Sequence, residues 1–142
     1  MKITKKKKSN VHFNMLTNFE NITYELTEEE QKLVGDIVMA FQKYTKDNPI
    51  KAPEICAKIN DNKLTKKPFT ESRLRKICNY IRSNGMIPLI ATSNGYYVDY
   101  SPEVLQSQIR SLKERASSIY RCAQGLEVFL PKETKQLEFN IE

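Results

Sequence analysis

Seven basic side chains fall between residues 62 and 82: Lys63, Lys66, Lys67, Arg73, Arg75, Lys76 and Arg82. Glu71 is the single acid among them. Cations at this density suit the neutralisation of a phosphate-bearing partner, because a merely solvated face ordinarily mixes both signs. Other chemistries lack their residues. The one histidine, His12, stands far from Cys56, Cys78 and Cys122, and no CxxC pair offers the close ligands that zinc needs, so neither metal nor other cofactor is expected. The cysteines read as small buried hydrophobes in a reducing compartment. No Ser/His/Asp or Cys/His set is present, and the four glycines form no phosphate-cradling loop. Asp36, Asp47, Asp61 and Asp99 are dispersed rather than gathered for two-metal hydrolysis. A binding protein is expected, not an enzyme.

The chain that must position these cations has 142 residues, 39% of them hydrophobic, with a mean hydropathy of −0.57 and a net charge of +6. That composition fits one domain with polar extensions. No apolar run approaches the ~18 residues of a membrane span. Lys5 to Lys8 precede no apolar stretch, so no secretory signal is expected and the cytoplasm is the predicted location. Four segments follow from pattern and charge: a basic arm at 1–26, a folded domain at 27–100, a long helix at 101–130 and a flexible tail at 131–142. Within the arm, 19–26 alternates weakly as a short strand would, with Ile22 and Tyr24 on one face.

Thr27-Glu28-Glu29-Glu30 is a capping box, and Leu33, Val34, Ile37, Val38 and Phe41 form one helical face behind it, with Asp47-Asn48-Pro49 ending the helix. Pro53 opens a second, short helix whose buried side is Ile55, Cys56 and Ile59. Thr70 caps a third helix running to about Asn84, and Gly85 suits the left-handed position past its end. On a helical wheel Leu74, Ile77, Cys78 and Ile81 face the core. Ser72, Lys76, Asn79 and Ser83 fall opposite, flanked by Arg75 and Arg82 on one side and Arg73 and Tyr80 on the other. A polar, cationic face without carboxylates matches the floor of a DNA major groove. Arg75 and Asn79 are best placed there for guanine and adenine edges.

Two apolar runs, Ile87–Ala91 and Tyr96–Tyr100, flank Asn94-Gly95, a strong hairpin signal. Tyr96, Tyr97 and Tyr100 are expected to alternate in and out and to pack on the first and fourth helices. Three helices closed by a hairpin make a winged helix-turn-helix, mainly α with a small β wing. Ser101-Pro102-Glu103 then opens a long amphipathic helix. Leu105, Ile109, Leu112, Ala116, Ile119, Ala123 and Leu126 recur at intervals of 4, 3, 4, 3, 4 and 3, a heptad seam. That seam predicts a homodimer, the alternative being burial against the first helix.

Arg73-Leu74-Arg75, Tyr80-Ile81-Arg82-Ser83-Asn84-Gly85, Ile87-Pro88, Ser93-Asn94-Gly95-Tyr96-Tyr97 and Ser101-Pro102-Glu103 with Arg110-Ser111-Leu112 follow one another in order. This pattern, over roughly 27–126, resembles the winged-helix proteins common in bacteriophage and prophage genomes. The resemblance implies a small DNA-binding protein acting in a bacterial host cell, encoded near replication or transcription genes. The lysine-rich start lies outside it. Lys63, Lys66, Lys67, Ser72, Arg73, Arg75, Lys76, Asn79, Arg82, Ser93 and Asn94 are the expected contacts to double-stranded DNA. A protein-interaction module gripping a replication or transcription machine is the alternative. In the tail, Gln136, Leu137, Phe139 and Ile141 weakly resemble a sliding-clamp-binding peptide.

Overall fold

The computed structural model describes residues 25–132, so the 1–24 part of the arm, with Ile22 and Tyr24 of the expected strand, and the clamp-like tail residues lie outside the described residues. The chain separates into two compact units, divided after Tyr100.

Helix α1, Glu28–Phe41, starts at the anticipated capping box: the Glu30 amide donates to the Thr27 hydroxyl, and the Glu30 carboxylate accepts from the Thr27 amide. It ends well before Asp47. Past Phe41 the chain peels away because its backbone is needed elsewhere: the Tyr44 carbonyl accepts from the Val98 amide at 3.1 Å, and Thr45 and Asn48 pair in a tight turn. Helix α2, Ala52–Asp61, begins one residue before Pro53, and helix α3, Glu71–Ser83, is capped by the Thr70 hydroxyl as expected.

Helix α3 is the centre of the first unit, in contact with α1, α2 and the hairpin. Its Leu74, Ile77, Cys78 and Ile81 are almost wholly enclosed, with Leu33, Ile37 and Phe41 of α1 and Ile55, Cys56 and Ile59 of α2 in the same core. Gly85 takes the expected left-handed conformation, φ +59°, and the Met86 amide closes the helix onto the Ile81 carbonyl.

The hairpin comprises β1, Leu89–Thr92, and β2, Gly95–Val98, antiparallel with Thr92 opposite Gly95. The register therefore puts Ser93 and Asn94 at the tip, one residue earlier than an Asn-Gly turn would have it, and Asn94 does not adopt positive φ. The Thr92 hydroxyl substitutes for that geometry, accepting from the Asn94 amide and donating to the Gly95 carbonyl. Gly95 is reserved for another purpose. Ile50 exchanges two backbone hydrogen bonds with Tyr96, at 2.7 and 2.9 Å, and brings its carbonyl against Gly95. A Cβ on Gly95 would sit 2.5 Å from that oxygen, and φ there is +126°. Gly95→Ala should lower stability by about 2 kcal/mol, read from urea unfolding. A change within 0.5 kcal/mol would mean the Ile50 pairing yields freely (about the noise of a surface substitution).

Helix α4, Pro102–Glu127, forms most of the described part of the second unit, with Pro102 as its first residue. At 26 residues it is about 39 Å long. Ser101 precedes it, but its hydroxyl donates to the Glu103 carboxylate rather than capping an amide. None of its residues is buried. Leu105 is half-exposed, whereas Ile109, Leu112, Ala116, Ile119, Ala123 and Leu126 are exposed. No helix among the described residues is long and apolar enough to cross a membrane.

Candidate nucleic-acid interface

The lysine-bearing connection between α2 and α3 is a closed loop. At its entry Lys63 adopts the left-handed conformation, φ +51°, and the Leu64 amide closes onto the Ile59 carbonyl at 3.2 Å. This is the ending that glycine provides after α3, here built with a lysine. At its exit the Asn60 side chain grips the backbone of Phe69 twice, accepting from its amide at 2.8 Å and donating to its carbonyl at 3.0 Å. Phe69 is itself buried in the core. The Thr65 hydroxyl donates to the Lys67 carbonyl at 2.6 Å within the loop. Lys63, Lys66 and Lys67 are all exposed on it.

Two of the expected DNA contacts on α3 face elsewhere. Arg73 and Lys76 turn toward Glu30 on α1: Arg73 Nε lies 2.7 Å and Lys76 Nζ 2.6 Å from its carboxylate oxygens. Their side chains are only 17% and 13% exposed, and Glu30 is 1% exposed. The wheel placed Lys76 opposite the core with its ammonium in solvent. The structure corrects this, because a long aliphatic stem lets the charge swing to a neighbouring helix. Burial alone would raise the Glu30 pKa, but hydrogen bonds from Arg73, Lys76 and the Thr27 backbone outweigh it and hold the carboxyl below its ordinary value.

The same Arg73 reaches further. Its Nη2 lies 3.5 Å from Glu29, and its Nη1 donates to the Lys67 and Pro68 carbonyls at 3.3 and 3.2 Å. Its guanidinium lies over the Phe69 ring, 5.4 Å from the centroid. The second oxygen of Glu29 accepts from the Lys66 backbone amide. One arginine fork therefore ties α1, the loop and α3 together.

Ser72, Arg75, Asn79 and Arg82 are half-buried, and each already has an interaction within the protein. Burial raises the pKa of the Cys56 and Cys78 thiols and of the Tyr96 hydroxyl; the charge of Arg75 opposes this at Cys56 and Tyr96, and that of Arg82 at Cys78 and Tyr96. Cys78 is pushed up to about 12, so its thiol is inert as a nucleophile near neutral pH. Cys122 departs from the expectation of a buried hydrophobe. It is exposed on α4. Tyr97 is buried, Tyr96 packs its ring 5.6 Å from that of Phe41 on α1, and Tyr100 is exposed. Ser93 and Asn94 are exposed at the hairpin tip.

The predicted residues thus fall into separate sets: an exposed lysine loop, an exposed hairpin tip, and a helix face already half-covered. Sequence reasoning missed Glu29 and Glu30 as ion partners; the capping box marked Glu30 only as the start of a helix. Among the described residues, no group of three or more His, Cys, Asp or Glu could hold a metal ion. No known protein family, curated protein or solved structure matches the chain.

Proposed function

We propose that this chain is a winged-helix protein that binds duplex DNA, a phage or prophage regulator or replication accessory factor. The element order supports the winged-helix reading: helix, a single pairing residue at Ile50, two helices, then a hairpin to whose second strand Ile50 adds one isolated bridge. The observation that carries the binding reading is the exposed lysine loop. With Arg73 and Lys76 set against Glu29 and Glu30, the loop still presents Lys63, Lys66 and Lys67, all exposed. In this reading the loop lysines meet phosphates and Ser93 and Asn94 at the hairpin tip add a further contact, while Arg75 and Asn79 read base edges by exchanging their present interactions for base contacts. The exposed heptad seam of α4 joins two such chains as a homodimer, and Gln136, Leu137, Phe139 and Ile141 offer a sliding-clamp contact.

Titrating a duplex with the full chain at rising salt tests the phosphate contacts. Each one steepens the log–log slope by about 0.9, so Lys66→Ala with Lys67→Ala should flatten it by about 1.8. An unchanged slope removes the loop from the interface. The half-buried α3 face favours a second reading, a module whose surface grips a protein partner of the replication or transcription machinery. That reading predicts weak, slope-free retention on duplex DNA.

A further inference from the structure

Resting on the duplex-binding reading, we infer that Arg73 is a positioning residue: with Glu29 it holds the closed loop at 60–69 in the shape that presents Lys63, Lys66 and Lys67 to a phosphate backbone. The loop is fixed at its two ends by α2, through the Leu64 amide and the Asn60 grip on Phe69. Its middle has no such support from α2. There Glu29 accepts the Lys66 amide, and Arg73 holds the next two carbonyls, those of Lys67 and Pro68. Every nitrogen of the guanidinium is engaged: Nε with Glu30, Nη1 with the two carbonyls, Nη2 with Glu29. To meet a phosphate, Arg73 would have to abandon a nearly enclosed carboxylate. The lysines beside it have no such commitment: the three stand in solvent on a backbone already ordered. A preordered loop loses less conformational freedom on binding than a mobile one.

Two substitutions in the full chain give this reading a sign that a contact role would not. Glu29→Ala removes a carboxylate near the phosphates, so simple electrostatics predicts tighter binding. Positioning predicts the reverse: Lys66 amide exchange about tenfold faster and duplex affinity several-fold weaker. Arg73→Lys keeps the charge but cannot span both carbonyls and the carboxylates, so it should weaken binding similarly. A lysine would serve nearly as well as an arginine at a lone phosphate contact. Circular dichroism checks that each variant stays folded, and Glu29→Ala, at the more exposed end of the brace, stands in where Arg73→Lys does not. Tighter binding by Glu29→Ala, unchanged exchange at Lys66, or Arg73→Lys binding within twofold of the parent would each overturn the inference. A parent chain that binds no duplex overturns the presentation role with the functional reading, while Lys66 exchange still reports whether the brace exists.

Discussion

Replacing Glu30 by alanine should cost about 3 kcal/mol of stability, the low end for breaking a buried ion pair from one side. The low end applies because Arg73 and Lys76, at 17% and 13% exposed, can turn partly back to water once the carboxylate is gone. The change also removes half of the Thr27 capping box. The same carboxylate imposes an acid limb. Its folded pKa lies below its ordinary value of 4.5, so its contribution is fully present above that value and is lost as pH falls through the lowered folded one. The unfolded chain takes up the proton first, and stability falls in that window. Urea midpoints followed from neutral pH into acid should show a drop in the parent that is shallower in Glu30→Gln. Parallel curves would mean the ion cluster contributes nothing net.

Ile109→Asp with Ile119→Asp should leave a monomer whose first unit remains folded. Both side chains lie on the exposed seam of α4, at 48% and 43% exposure, amid Arg110, Lys113, Glu114, Arg115 and Arg121. A paired seam would bury these positions between chains, where a carboxylate has no partner and self-association is lost. Duplex binding should weaken too, because a linked second module raises effective concentration. Sedimentation and circular dichroism on one sample read both outcomes. A parent chain that sediments as a monomer at tens of micromolar contradicts the dimer, and unfolding of the double variant would mean the seam belongs to the chain's own core.

The helices were legible because each carries a local signature. Thr27 with Glu30, Thr70, Gly85 and Pro102 mark helix ends, and the 3.6-residue spacing of Leu74, Ile77, Cys78 and Ile81 marks a buried face. These signals act within a few residues and survive folding unchanged. What could not be read depends on partners distant in the chain. Nothing in the sequence near Phe41 says that the Tyr44 carbonyl is wanted by Val98, or that Ile50 will lie against Gly95 and shift the demand for glycine from the turn to a close approach. The candidate site failed in the same way at α3. A wheel separates one helix into faces, but Glu30 lies 43 positions before Arg73 in the chain, and only the packing of α1 on α3 brings its carboxylate to both Arg73 and Lys76. The loop lysines kept their predicted exposure because no acid meets their ammonium groups: Glu29 takes only the Lys66 backbone amide.

Selection of genomic duplex fragments by the purified full chain tests duplex binding itself. A discrete set of short fragments should be recovered at low salt and lost as salt rises, with Lys66→Ala plus Lys67→Ala recovering less at each step. Recovery of nothing above the input mixture at low salt would contradict duplex binding.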